Sequence, residues 1–271
     1  MSAEQQVNRN EAQAVLETAL VSSANTNAVA EELFGVADLL HGREDIARAL
    51  TDPARPAADK QALARQIFAS YTQAGTLEVL EKLASLHWRK IESLLETLEM
   101  LAVQALLAET FKNDQLWQVE QELRDVRDLF RASRDLRSVV SSHFPGSRLQ
   151  RAEFVEQLLE GKVLPVTSRL ARRAVYRSEG GRVMSTLLNY AYEAAHLRGQ
   201  YLYTVTSARE LTQEQFSRLH GLLQRKMGKP IILTQVVDPE LIGGFRVMSA
   251  NHVVEASVSA DLVNLRKTLK R

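Results

Sequence analysis

Cysteine is absent from the 271 residues, which excludes disulfides, thiolate metal ligands and cysteine nucleophiles. Proline (6) and glycine (12) are scarce, so neither an all-β nor a disordered chain fits. Neither sign of charge dominates: 34 Lys+Arg stand against 33 Asp+Glu, which removes bulk electrostatics as a basis for binding nucleic acid or membrane. No run of about 18 apolar residues occurs. The nearest stretch, Leu94 to Ala108, is interrupted by Glu96, Glu99 and Gln104 and reads as an amphipathic helix. The opening Met1-Ser2-Ala3-Glu4-Gln5-Gln6 lacks the basic-then-apolar order of a signal peptide. Membrane contact is therefore expected only through partners.

The motifs of catalysis are missing as well. The six histidines, His41, His87, His143, His196, His220 and His252, show no ligand spacing, and there is no His-Glu-x-x-His, Gly-x-Ser-x-Gly or Gly-x-Gly-x-x-Gly. Gly161-Lys162 and Gly228-Lys229 lack the rest of a phosphate loop and read as helix stops. Carboxylate pairs such as Glu31-Glu32 and Glu120 with Glu122 read as solvated helix faces, with nothing to tune a pKa. No catalytic residue, metal site or cofactor is expected. One charged face stands out, Arg169, Arg172, Arg173 and Arg177 with Arg182 beyond, and it keeps open a helical adaptor or nucleic-acid-associated protein as the alternative function. Trp88 and Trp117 lie near helix ends, where core and interface roles are equally open.

What the chain does have is helical periodicity. Asn10 to Val21 carries Ala12, Val15, Leu16, Ala19 and Leu20 on one face, and the next helix presents Val29, Leu33, Val36 and Leu40. A short helix through Ile46 and Leu50, then helices over Pro56 to Ala69, Thr76 to Trp88 and Ile91 to about Thr110, complete a six-helix bundle over residues 1–110. About ninety residues on, Val119, Leu123, Val126 and Phe130 repeat the spacing, with Glu32, Asp38, Leu39 and Asp45 matched by Glu122, Asp128, Leu129 and Asp135. Further along, Leu77, Val79, Leu83 and Ala84 answer to Leu164, Val166, Leu170 and Ala171. Residues 111–198 thus read as a second copy of the helical module. From Gly199 the vocabulary turns to strands: Tyr201 to Thr206, then Ile231 to Val237, then Phe245 onward, with Thr212 and Gln215 as a capping box for the helix between the first two. Ser249 to His252 reads as a hairpin turn, and Val258, Leu262, Leu265 and Leu269 as a closing helix. The predicted fold is mainly α, a duplicated helical bundle module followed by a small α+β module over residues 199–271.

The run Val237-Asp238-Pro239-Glu240-Leu241-Ile242-Gly243-Gly244-Phe245-Arg246-Val247, a polar turn, Val253-Val254-Glu255-Ala256-Ser257-Val258 and a short helix resembles the C-terminal signature of the delta subunit of F-type ATP synthases. The mitochondrial relative is the oligomycin-sensitivity-conferring protein. One departure is visible, since the family usually carries Asp-Gly where this chain has Glu255-Ala256. The resemblance implies a non-catalytic peripheral-stalk subunit on the cytoplasmic face of the cell membrane, linking the alpha/beta head of a proton-driven ATP synthase to b-type stalk subunits. A second helical module would make it the longer form of that family seen in some high-GC Gram-positive lineages. By family position, an apolar groove receiving an N-terminal helix of an alpha subunit falls on the first and fifth helices, at Val15, Leu16, Ala19, Leu20, Val79, Leu80 and Leu83. The stalk-binding end falls on Gly243, Gly244, Phe245, Val247, Val254, Leu262 and Leu265. Leu16→Asp with Leu83→Asp is the sequence-based test of that groove.

Overall fold

The computed structural model describes residues 3–23, 25–140, 146–177, 182–199, 201–227, 231–238, 245–249 and 252–253. Chain contacts divide it into two compact units, Met1–Gln115 and Leu116–Arg271. Mainly α architecture is present throughout, with the strands confined to the C-terminal part of the second unit.

The first unit holds α1 (Ala3–Ser22), α2 (Thr26–Gly42), α3 (Glu44–Thr51), α4 (Ala57–Phe68), α5 (Ala74–Ser85) and α6 (Ile91–Lys112). Asn25 caps α2, its side chain accepting from the Ala28 amide at 3.1 Å, and Val29, Leu33, Val36 and Leu40 are buried along one face as the three-four spacing requires. That face packs along α6, while α4 packs on α5 and α1 lies over α5 and part of α6. Ala19 approaches Gly75 so closely that a Cβ there would stand 3.1 Å from the alanine Cβ, so glycine sets the spacing of α1 on α5. The amphipathic reading of α6 needs correcting. Leu101 through Leu107 are buried in succession, Gln104 included, because α1, α2 and α3 all pack on this helix and leave it no broad wet face.

The second unit begins with α7 (Leu116–Ala132), α8 (Arg134–Val140), α9 (Arg148–Leu159), α10 (Pro165–Arg177) and α11 (Val183–Leu197). Val119, Leu123, Val126 and Phe130 are buried on α7, which packs along α11; α9 packs on α10. Ser147 and Gln150 form a reciprocal capping box at α9. Gly161 takes φ +68 just past that helix, the left-handed stop expected from its sequence. The helical part then gives way to β1 (Tyr201–Ser207), α12 (Gln213–Met227), β2 (Ile231–Val237), β3 (Phe245–Ser249) and β4 (His252–Val253). The sheet order is β2-β1-β3-β4, with β1 and β2 parallel and the other pairs antiparallel. Thr212 and Gln215 cap α12 reciprocally, at 3.0 and 3.3 Å. Alternation sorts the sheet's two faces. Tyr203, Val205, Ile231, Leu233 and Val247 join Leu219 and Leu223 of α12 in one apolar core, while Ile232 packs toward Tyr192 and Ala195 of α11. The predicted closing helix at residues 258–269 and the turn residues 250 and 251 lie outside the described residues.

Two buried threonines, one in each unit, differ in their hydrogen bonding. Thr167 donates to the Glu122 carboxylate at 2.6 Å, whereas the Thr76 hydroxyl, fully buried, has no partner among the described residues. Thr167→Val is expected to destabilise α10 by about 1.5–3 kcal/mol, the range for a hydrogen bond to a charged group. Thr76→Val is expected to be neutral or to stabilise α5 by about 1 kcal/mol, since it removes an unpaired buried hydroxyl. Native-state hydrogen exchange of the α5 and α10 amides reads both outcomes.

Candidate partner-binding site

The seven side chains assigned to a groove meet one another, but as an internal seam. Leu16 and Ala19 on α1 and Val79, Leu80 and Leu83 on α5 are all buried, at 4% exposure or less, where α1 packs on α5. Val15 and Leu20 are half-buried at the edge. The seam is clasped by polar contacts at both ends: Asn8 donates to the His87 carbonyl at 2.6 Å and Lys82 pairs with Glu11 at 2.7 Å toward the start of α1, and the Ser23 hydroxyl donates to the Gln73 side-chain carbonyl at 3.4 Å where α1 ends. The connection from α5 to α6 is equally tied, with Lys60 donating to the Leu86 carbonyl at 2.9 Å and the Trp88 indole to the Leu83 carbonyl at 2.8 Å. Burial lowers the pKa of Lys60, offset in part by Asp52. Trp88 is therefore a core residue, and Trp117, half exposed, is a surface one.

In the tail, Val247 is buried and Phe245 half-buried in the core beneath α12. Gly243, Gly244, Val254, Leu262 and Leu265 lie outside the described residues.

Glu31 is exposed, as a solvated helix face requires, but Glu32, Glu120 and Glu122 are not solvated in that way. Glu122 accepts from the Leu164 amide at 2.9 Å as well as from Thr167, and Glu32 accepts from the Gln73 amide at 3.2 Å. Each supplies a distant helix start with the acceptor its free N–H groups need. Glu120 is 2% exposed, with Arg198 at 3.0 Å and Arg124 at 3.2 Å. Burial raises its pKa, and the two guanidiniums pull it part of the way back. The sequence offered one signal for these roles, the recurrence of Glu32 as Glu122 at the shift that also matches Asp38 with Asp128 and Leu39 with Leu129.

The arginine face is largely engaged within the unit. Arg172 pairs with Glu156 at 3.1 Å, Arg173 is buried beside Tyr176, and Arg148 stands over the same ring at 5.0 Å. Among the described residues no group of three or more His, Cys, Asp or Glu side chains could hold a metal ion, and no helix is long and apolar enough to cross a membrane.

Among the described residues, twelve helices and a four-stranded mixed sheet, with several polar side chains joining one helix to another, define the class: a multi-helix scaffold carrying a small α+β module. The family is specific. The family model for the ATP synthase delta (OSCP) subunit matches residues 103–269, which is more than half of the chain. Proteins named ATP synthase subunit delta are similar over nearly the whole length: that of Frankia alni is 33% identical over 262 residues, 97% of this chain and 94% of the relative. The Kineococcus radiotolerans protein is 34% identical over 259 residues, 95% and 94% of the two chains. That of Beutenbergia cavernae is 33% identical over 242 residues, 89% of each. The chain belongs to the ATP synthase delta (OSCP) subunit family. These relatives extend well before residue 103, so the first unit is shared with them and stands outside the family model for most of its length.

Two outcomes follow from the geometry. Because Leu16 and Leu83 are core residues, their replacement by Asp is expected to unfold the first unit, seen as lost helical circular dichroism; Leu83→Ala alone should cost about 2–5 kcal/mol. Glu120 gives a pH signature. Its folded pKa stands above its ordinary value of 4.5, so the stability linked to its protonation is full below that value and is lost as pH rises through the folded pKa. Glu120→Gln removes the titration, so the stability of the parent relative to the variant should fall as pH rises from below the ordinary carboxylate range through the raised folded pKa, measured by denaturant unfolding.

Proposed function

We propose that the chain is a non-catalytic stator subunit of a proton-driven ATP synthase, a peripheral-stalk connector between the alpha/beta head and b-type stalk subunits, held at the cytoplasmic face of the membrane by its partners. The observation that carries this reading is the family match over residues 103–269, which takes in the helices and the sheet of the second unit together.

The same reading includes an internal duplication, with α2 to α6 answering α7 to α11. Within each unit the first and last of these five helices pack together, and so do the third and fourth. The bonds from Glu32 to Gln73 and from Glu122 to Leu164 bridge the same two places, just before α5 and just before α10. They align Thr76 with Thr167 and Val79 with Leu170, one helical turn further along α10 than sequence comparison put it. On this reading the second unit holds the family's usual head contact and stalk contact, and the first unit is an added helical module of the connector.

The groove residues of α1 and α5 point the same way. With Leu16, Ala19, Leu80 and Leu83 packed on one another, an incoming helix would find only the rim at Val15 and Leu20. Helix recognition needs anchors free to be buried, each contributing about 1.5–3 kcal/mol before ordering costs. Two moderate contacts on one chain also suit a stator, since the second becomes intramolecular and avidity gains of roughly 100–10,000-fold follow where both engage.

Copurification of the tagged chain from detergent-solubilised membranes is expected to recover alpha and b-type subunits together; failure to recover either overturns the stator reading. Lysine-directed cross-linking of that complex locates the head contact. Cross-links from alpha-subunit N-termini to Lys162 support the second unit, and cross-links to Lys82 or Lys90 instead would return the contact to the first.

A further inference from the structure

The second unit contains two parts that a chain of this kind could leave hinged, the helices α7 to α11 and the sheet with α12. Their connection is short: α11 ends at Leu197 and β1 starts at Tyr201. Gly199 takes φ +71 there, and its amide donates to the His196 carbonyl at 2.9 Å. A short connection limits reach but not rotation, so what fixes the orientation must come from side chains.

Two sets of side chains do this from α11. Leu188, Tyr192 and Ala195 recur at four and three residues, and they meet Ile232 on the face of the sheet opposite α12. From this stripe the Tyr192 hydroxyl stands 2.6 Å from the Thr204 hydroxyl, which stands 3.2 Å from that of Thr234. Thr234 in turn donates to the Tyr203 carbonyl at 3.3 Å. Thr234 has one proton and spends it on that carbonyl, so Thr204 donates to Thr234 and Tyr192 donates to Thr204. The order is fixed from the backbone of β1 outward to the helix. Tyr192 is 4% exposed and Thr204 5%, so a rotation that broke the chain would leave hydroxyls buried without partners. At the end of α11, Arg198 reaches across to Glu120 of α7 at 3.0 Å. It ties the last residue before the connection back to the helical part.

We propose that α11 is a lock: the hydroxyl chain Tyr192–Thr204–Thr234 and the Arg198–Glu120 bridge make the helices and the sheet of the second unit move as one body. A hinge would let the sheet module swing; the lock makes a displacement of α7 reach β1 undiminished. The inference concerns the second unit alone and stands or falls apart from the stator reading.

Because the chain has no native cysteine, a single pair of spin labels reports the motion. Gln157→Cys on α9 and Gln224→Cys on α12, both exposed, place one label on each part of the full-length chain. Pulsed dipolar spectroscopy is expected to give one narrow distance distribution, which Thr204→Val combined with Arg198→Gln broadens by about twofold or splits. A broad distribution without those substitutions overturns the proposal, as does an unchanged narrow one with them. If the combined variant loses its helical circular dichroism, Tyr192→Phe, which keeps the ring and deletes the hydroxyl, is read by the same criterion.

Discussion

A helix that starts inside a protein leaves N–H groups with no acceptor of their own, and in this chain a carboxylate from another helix answers that need. Glu122 on α7 reaches the start of α10, forty-two residues away in sequence, and Glu32 on α2 reaches the start of α5 across forty-one. Apolar burial is non-directional and would accept α10 slid along its axis. A charge-assisted bond to one amide does not, and it fixes the depth at which Leu170 and Ala174 enter the core. Each such bond is worth about 1.5–3 kcal/mol, small beside the apolar burial of a whole helix, yet it decides register.

The sheet obeys the same division of labour by a different device. Among its odd-numbered residues on β1 and β2, Tyr203, Val205, Ile231 and Leu233 give an apolar patch to α12. Its even-numbered residues Thr204 and Thr234 put hydroxyls against α11. Period-two alternation thus gives α12 an apolar patch and gives α11 a face on which the Ile232 contact is joined by directional hydroxyl bonds. The mixed β2-β1-β3-β4 order follows from the connections: a helix carries the chain from β1 to a parallel β2, whereas the brief link between β3 and β4 permits only an antiparallel pair.

Periodic features were the legible ones. Val119, Leu123, Val126 and Phe130 announced the buried face of α7, and Thr212 with Gln215 announced the start of α12, because both patterns depend on neighbours along the chain. Glu120 illustrates the opposite case. On α7 it sits one residue past buried Val119, and local spacing gives no reason to think an arginine seventy-eight residues away will meet it. Gln104 in α6 was read as wet for the same reason, since which helices surround it is a property of the fold rather than of its own neighbours. A helix-receiving face and an internal seam carry the same three-four spacing, so spacing alone could not show that Leu16, Leu80 and Leu83 are buried between α1 and α5. The family signature at Gly243-Gly244 was readable as a string, though it lies outside the described residues and contributes nothing to the packing derived above.

The Glu120 site shows what kind of work the polar interior performs. The carboxylate is almost fully buried, but its partners Arg124 and Arg198 keep 26% and 27% of their side chains in contact with solvent. Desolvation therefore falls chiefly on one group, which is why its pKa rises although two cations flank it. An arrangement selected for stability alone would do as well with apolar side chains of similar size. What a carboxylate adds is a direction toward each guanidinium, one on its own helix and one at the end of α11. Stability accepts a penalty there and geometry gains a fixed point, which holds the start of α7 against the end of α11.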